Sequence, residues 1–116
     1  MGIRGHAGKL AEAYPQSELA AQGTLRAADF LVSQGKGEEA KSELTKMVSA
    51  SSLEPYHSRM QKKLAEILKA EGHLKEAVFY FQQALKKAPD ELKPEIESEL
   101  SEAYALQGRV PTQTKN

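Results

Sequence analysis

The chain has 116 residues, 16 basic and 16 acidic, so its formal net charge at pH 7 is zero. A neutral chain has no long-range field to attract nucleic acid or an anionic membrane surface, and neither is expected as a partner. Cysteine is absent, which excludes disulfides and thiolate chemistry from this sequence. The length fits a single domain, and abundant Ala, Leu, Lys and Glu favour helices.

No stretch approaches the roughly 20 consecutive apolar residues that a membrane-spanning helix requires. Residues 1–6 also lack the apolar segment of a signal peptide. We therefore expect a soluble chain without direct membrane insertion, in either the cytoplasm or the periplasm. Whether a leader precedes Met1 is left open.

Apolar residues recur three and four positions apart along most of the chain, which predicts amphipathic helices. In chain order, the predicted helices span residues 4–14, 17–34, 37–49, 53–71, 74–88 and 92–107. No segment alternates with a period of two, so no sheet is predicted. The polar segment 109–116 is expected to be a disordered tail.

Helix ends are marked by glycine. Gly35, Gly72 and Gly108 each follow an apolar stripe, at a position where positive φ would end the helix and open a tight turn. Ala40 and Ala77 stand five residues after the first two of these glycines, where the returning helix must approach its partner closely. The glycines therefore predict helix pairs.

Helix starts are marked by short polar side chains. Ser17, Ser52 and Asp90 are predicted to be N-caps, because their side chains can accept a backbone N–H of the first turn. Pro94 fits poorly in a helix that begins at residue 92, so the last helix is expected to begin nearer Lys93.

The signals for helix starts and helix ends recur as parts of an internal repeat. Around Gly72, small and apolar residues occupy fixed spacings: Leu64, Ala65, Leu68, Ala77, Phe81, Ala84, Leu85 and Pro89. The same spacings occur 37 residues earlier around Gly35, and their first half occurs 36 residues later around Gly108. Their second half occurs near the start of the chain. We predict a domain over 1–108, with half repeat 3–15, repeats 17–52 and 53–89, and half repeat 92–108.

The pattern L-A-x-x-L-x-x-x-G-x-x-x-x-A-x-x-x-F-x-x-A-L-x-x-x-P over residues 64–89 resembles the tetratricopeptide repeat. The resemblance implies an all-α fold, in which antiparallel helix pairs stack into a short right-handed superhelix of about six helices. It also implies a non-enzymatic scaffold or adaptor that binds a peptide or protein in a concave groove lined by the first helix of each pair. Residues 14–20 resemble turns of bacterial envelope members of the family, which favours a bacterial source.

Most groove positions follow from the repeat register, two and five residues to either side of each core position, and Lys63 is added because it corresponds to a residue of the carboxylate clamp found in some family members. The predicted partner-binding residues are Asp29, Arg59, Lys62, Lys63, Glu66, Lys69 and Glu102. The groove would run from partly apolar, through basic, to acidic, so we expect a ligand with an acidic residue near its middle and a basic one towards the last helix. Alternatively, these charges only solvate an exposed face, although Arg59 with Lys63 and Glu66 with Ala70 offer the helix no favourable pairing.

A family version of this groove clamps a terminal carboxylate with Lys, Asn and Arg. Here Glu95 and Glu99 stand at two of the corresponding positions, and acidic side chains repel a carboxylate. That ligand is not expected.

Phe79 and Tyr80 form an aromatic run with Phe81, and three consecutive helical residues cannot all face one core. Phe79 and Tyr80 are therefore candidates for a surface hot spot, with packing between helices as the alternative. The last helix leaves a second alternative function open. Tyr104 and its apolar neighbours could mediate self-association in a structural assembly module, or the acidic residues of that helix could make it a polar cap.

Catalytic residues, metal ligands and cofactors are not expected. His6, His57 and His73 have no carboxylate or second histidine at helical ligand spacing. No serine lies in a nucleophile-elbow sequence, and no glycine-rich phosphate loop is present.

Overall fold

The computed structural model describes residues 17–109, and all regular structure within that range is helical. The helices are α1 Glu18–Ser33, α2 Gly37–Ala50, α3 Tyr56–Ala70, α4 Leu74–Lys87 and α5 Lys93–Arg109. Consecutive helices pack against each other, α1 also packs against α3, and α3 also contacts α5. The first helices α1, α3 and α5 therefore form one layer, and α2 and α4 form the other.

This arrangement confirms the predicted all-α fold of stacked helix pairs for the described residues. The predicted helix 4–14 and residues 110–116 lie outside them. Division of the chain into repeats with the boundaries given above stays a prediction, although α1–α2 and α3–α4 are the pairs that it requires.

Small side chains let the two layers approach closely. Ala40 and Ala77 are fully buried, as the repeat pattern predicts. Large apolar side chains fill the space around them, and one core cluster continues through the stack. The largest fully buried apolar side chains come from four successive helices: Leu44, Met60, Phe81 and Ile96. Burial of this continuous core holds neighbouring repeats together.

Two glycine turns close the helix pairs as predicted. Gly35 has a φ of 77° and Gly72 a φ of 87°, both in the left-handed region. After Gly35, the N–H of Lys36 donates to the carbonyl of Leu31 over 2.8 Å, and the turn at Gly72 repeats this bond at 2.9 Å. These are the hydrogen bonds of a Schellman motif, which satisfies carbonyls at the helix end.

The third glycine prediction is wrong. Gly108 lies inside α5, which continues to Arg109, and its φ is not positive. Glycine adopts right-handed and left-handed conformations about equally well, so it leaves the helix only where packing requires a turn. No returning helix packs on the end of α5 among the described residues, and Gly108 keeps the helical conformation.

The start of α1 is capped as predicted. Ser17 Oγ accepts the N–H of Ala20 at 3.0 Å. The start of α5 agrees with the prediction from Pro94, because this helix begins at Lys93. Asp90 is too far before Lys93 to be the N-cap of α5. It lies in the preceding turn, with its carboxylate 3.5 Å from the Lys93 ammonium.

The prediction that Ser52 caps α3 is wrong, because this helix begins at Tyr56. Glu54 substitutes for the missing cap. One oxygen of its carboxylate accepts the hydroxyl of Ser58 at 2.7 Å and the backbone N–H of the same residue at 3.4 Å. A longer carboxylate side chain thus reaches a first-turn N–H from outside the helix.

Candidate functional site

Two neighbouring cavities open between α1 and α3, and we call the surface of α1, α3 and α5 around them the groove. The larger cavity has a volume of about 340 Å³. Val32, Ile67 and Ala70 supply its apolar lining, with Gly37 from the start of α2 and Glu71 from the end of α3. We call this cavity the apolar pocket.

The second cavity has a volume of about 260 Å³ and lies towards α5. Three cations line it, Arg59, Lys62 and Lys63, together with the carboxylates of Asp29 and Glu95, which are paired with the two lysines. Leu25 and Leu92 provide apolar surface beside them. We call this cavity the cationic pocket.

Most of the predicted groove charges are paired with one another. Lys63 lies 2.7 Å from Asp29 of α1 and 3.5 Å from Glu66. Lys62 lies 2.6 Å from Glu66 and 3.5 Å from Glu95 of α5. These contacts join all three first helices, and Lys62 with Glu66 is an i,i+4 pair that the sequence prediction overlooked.

The environment of Lys63 keeps it charged. Burial alone would lower the pKa of its ammonium, but the hydrogen bond to Asp29 and the charge of Glu66 outweigh burial and raise the pKa. Lys63 is therefore a fixed positive charge, and it is already matched by two carboxylates.

Lys69 forms a second cluster with α5. Its ammonium lies 2.5 Å from Glu99 and 2.6 Å from Glu102. Burial would lower the pKa of Lys69, but hydrogen bonds to Glu102 and Glu99 raise it above the usual value. The hydrogen bond from Lys69 in turn lowers the pKa of Glu102.

These pairs change the expected ligand. A basic centre and an acidic end that attract opposite charges on a ligand would require free side chains. Lys62 and Lys69 instead contact the acidic residues of α5 directly. The structure therefore does not support the predicted charge gradient, because its basic centre and its acidic end are paired with each other.

Arg59 is the exception among the predicted cations. Its side chain is exposed at the cationic pocket, and its guanidinium makes no hydrogen bond or ion pair with any residue from 17 to 109. It can therefore accept a carboxylate without breaking an existing contact. A guanidinium can bind a carboxylate through two parallel hydrogen bonds.

A polar network closes the groove at the N-terminal ends of α1 and α3. The Tyr56 hydroxyl donates to a Glu18 carboxylate oxygen at 2.7 Å. Gln22 Nε2 donates to the same hydroxyl at 3.0 Å. The Gln22 amide is therefore occupied in joining α1 to α3.

Phe79 and Tyr80 lie on α4, in the other layer from the groove. Phe79 is 51% exposed, whereas Phe81 is fully buried. Tyr80 packs partly buried against the core, and its ring meets that of Phe79 edge-on with centroids 5.2 Å apart. Phe79 is thus the accessible member of the aromatic run.

Several residues of the site were missed from sequence: Gly37, Ile67, Glu71 and Leu92. Ile67 had a signal, since it is four residues from Lys63 on the same helix face. The others come from helix ends or from another repeat, where local spacing carries no information about contact.

Neither a metal-ligand cluster nor a membrane-spanning helix occurs in the described part of the chain. Residues 17–109 contain no cluster of three or more His, Cys, Asp or Glu side chains placed to hold a metal ion. His57 has a structural partner, because its Nδ1 lies 2.5 Å from the carbonyl oxygen of Ser51. None of the described helices is long and apolar enough to span a bilayer.

The structure consists of helix pairs, each joined by a glycine turn, and the first helices of the pairs lie side by side along one groove. This arrangement defines a helical repeat module. A family model described as a tetratricopeptide repeat-like domain matches residues 2–110. The chain belongs to this family, whose domains are generally non-catalytic modules for protein–protein interaction. Comparison with curated proteins and with solved structures gives no match.

Proposed function

We propose that the groove binds an extended segment of another protein, which makes the chain a scaffold or adaptor module. The observation that carries this proposal is the pair of adjoining cavities between α1 and α3, of about 340 and 260 Å³. Cavities near this size can hold side chains of a ligand. Because both open on the same cleft, one extended chain could fill them together.

The paired charges suit a peptide backbone. A carboxylate can accept about four hydrogen bonds. Lone pairs that the lysine partners do not use therefore remain on the carboxylates of Asp29, Glu66 and Glu102. Each ammonium likewise has three N–H groups. A neutral surface of alternating acceptors and donors can bind backbone N–H and C=O groups without a net charge on the ligand. We therefore assign Lys62, Lys63 and Lys69 a contact role that depends on their carboxylate partners.

A photo-crosslinking amino acid at Val32 tests the proposal. Val32 is 43% exposed and lines the apolar pocket. The matched control carries the same amino acid at Lys75, an exposed position on α4. We expect Val32 to form a discrete protein adduct in cells of the source organism and Lys75 to form none. Identical adducts at both positions, or adducts from Lys75 alone, would contradict a binding groove.

A second candidate function, self-association through the terminal helices, is favoured by one observation. Phe79 is 51% exposed on α4 and Tyr104 is 48% exposed on α5. Gln82 of α4 donates to the Tyr104 hydroxyl at 2.7 Å, so these residues share one surface. A second copy covering this surface would bury both rings.

Sedimentation velocity distinguishes this candidate from the first. Self-association predicts a mass above the monomer that rises with concentration and is reduced by Tyr104→Glu. A monomeric mass from micromolar to millimolar concentration would exclude it. The same substitution should leave crosslinking from Val32 unchanged.

A further inference from the structure

We infer that the groove selects segments in which an acidic side chain lies within about four residues of an apolar one. Arg59 would hold the acid, and Val32 and Ile67 would hold the apolar side chain. This inference rests on the proposed peptide-binding function and adds the chemistry of the ligand.

The acid is assigned to Arg59 because the other cations of the cationic pocket already contact carboxylates. Lys62 and Lys63 each contact two carboxylates, whereas Arg59 contacts none among the described residues. An incoming carboxylate that approached either lysine would have to displace one of those partners. At Arg59 it would form a new charge-assisted pair without displacing anything. Arg59 is therefore the cation available to the ligand.

The apolar site follows from the exposed lining of the larger pocket. Val32 is 43% exposed, and it lies beside Ile67 and Ala70 across the cleft between α1 and α3. An apolar side chain placed here removes hydrocarbon surface from water on both partners. Glu66 and Glu71 on the rim of the pocket would disfavour a second acidic side chain at this position.

The spacing is limited by the helix that carries both sites. Arg59 precedes Ile67 by eight residues on α3, which corresponds to about 12 Å along the helix. An extended peptide covers roughly that distance in about four residues. Asp29 and Lys63 line both pockets, so the two sites adjoin without an intervening helix. A longer ligand spacing would require a loop between the two anchors.

The acid is assigned to a side chain of the ligand and not to its C-terminus. Leu25 lines the same cavity as Arg59 and is partly exposed, so a ligand chain that runs through the cavity covers apolar surface beside the acid site. A chain that ended at Arg59 would cover less of this surface. C-terminally amidated probes separate the two sources, because they carry no terminal carboxylate.

A display library of random decapeptides, selected on the full chain, tests the inference. Selected sequences are then synthesised in C-terminally amidated form and titrated by fluorescence polarisation. We expect enrichment of Asp or Glu within four residues of Leu, Ile, Val or Met. Arg59→Ala should lower the affinity for these peptides about tenfold, which corresponds to the loss of one good contact. Val32→Ser should also lower the affinity, because the apolar side chain of the peptide loses an apolar contact.

The matched control is Arg26→Ala. Arg26 is an exposed arginine on α1 that lines neither pocket, so its removal changes net charge by the same amount as Arg59→Ala. Affinity for the selected peptides should be unchanged in this variant. Equal losses from Arg26→Ala and Arg59→Ala would overturn a specific acid site.

Two other outcomes separate the inference from the function on which it rests. The inference alone would be overturned by peptides that bind the groove but lack the acidic and apolar pattern. Binding in the groove is recognised by shifts of the amide resonances of Val32 and Ile67. A library that yields no peptide shifting groove resonances would overturn the proposed function and the inference with it. Peptides that bind only with a free C-terminus would overturn the assignment to an acidic side chain.

Discussion

The Lys63 ammonium of α3 lies 2.7 Å from the Asp29 carboxylate of α1. Both side chains line the apolar pocket and the cationic pocket, so the ion pair forms their common wall. It also joins the first helices of successive repeats. One contact therefore contributes to the spacing of the repeats and to the shape of the groove.

A double-mutant cycle of Asp29→Asn and Lys63→Met measures this contact. Because the Asp29 side chain is largely exposed, we expect a coupling free energy of only about 0.5 kcal/mol in urea unfolding. The coupling should decrease between low salt and 1 M salt, where charges are screened. Additive effects of the two substitutions at low salt would show that the pair does not stabilise the repeat junction.

Alanine at two glycines should change stability in opposite directions. Neither Gly72 nor Gly108 has a neighbouring atom that an added Cβ would meet, so only backbone conformation differs. Gly72→Ala should lower the free energy of unfolding by about 1–2 kcal/mol, because φ is positive there. Gly108→Ala should raise it by up to about 0.5 kcal/mol, because the residue is helical. Chemical denaturation of both variants measures the difference, and a loss at Gly108 equal to that at Gly72 would contradict a helical Gly108.

Enlarging Ala77 tests the close approach of the two layers. Ala77 is fully buried, so Ala77→Leu should cost about 1–3 kcal/mol through overpacking. Ala105→Leu is the control, since Ala105 is exposed on α5 and the substitution has little to displace. Thermal unfolding should show a lower midpoint for the first variant only. Similar midpoints for the two variants would contradict the close approach of α4 to the other layer that the buried Ala77 indicates.

The Lys69 cluster predicts a pH dependence with two limits. The pKa of Glu102 is lowered, so its contribution is present above the unfolded pKa of about 4.3 and is lost as pH falls through the folded value. The pKa of Lys69 is raised, so its contribution is present below the unfolded pKa of about 10.4 and is lost as pH rises through the folded value. The stability difference between wild type and Lys69→Met should therefore be constant near neutral pH and shrink in acid and alkali.

Lys75→Met provides the control for that measurement. Lys75 is exposed on α4 and has no ion-pair partner among residues 17–109, so its substitution should give a difference that does not vary with pH. Urea unfolding at intervals between pH 3 and pH 11 follows the difference from neutral pH towards both limits. Parallel curves for wild type and Lys69→Met at all pH values would show that the cluster does not contribute to stability.

Much of the fold could be predicted because its determinants are local. The turns at Gly35 and Gly72 and the buried positions of Ala40 and Ala77 follow from spacing within one helix pair. Gly108 was mispredicted because its sequence context resembles theirs while its tertiary context does not. A glycine permits a turn, but packing of a returning helix decides whether the turn forms.

The predicted groove residues lie on α1, α3 and α5, and the sequence did not indicate the ion pairs that most of them form across these helices. Register identifies which side chains face the groove, and it does not identify which of them meet across it. Lys69 and Glu99 are 30 residues apart in the chain, so no local pattern connects them. Arg59 resembles the groove lysines in sequence, and only its lack of a carboxylate partner among the described residues distinguishes it.

The sequence by itself determined the helical class, the positions where glycine permits a turn and the family, because helical periodicity and the placement of small residues act within one repeat. The tertiary structure alone decided which groove charges neutralise one another and where cavities remain open. Those properties depend on distances of a few ångströms between side chains on different helices. Such distances result from packing of the whole stack, and the spacing of residues along the chain does not determine them.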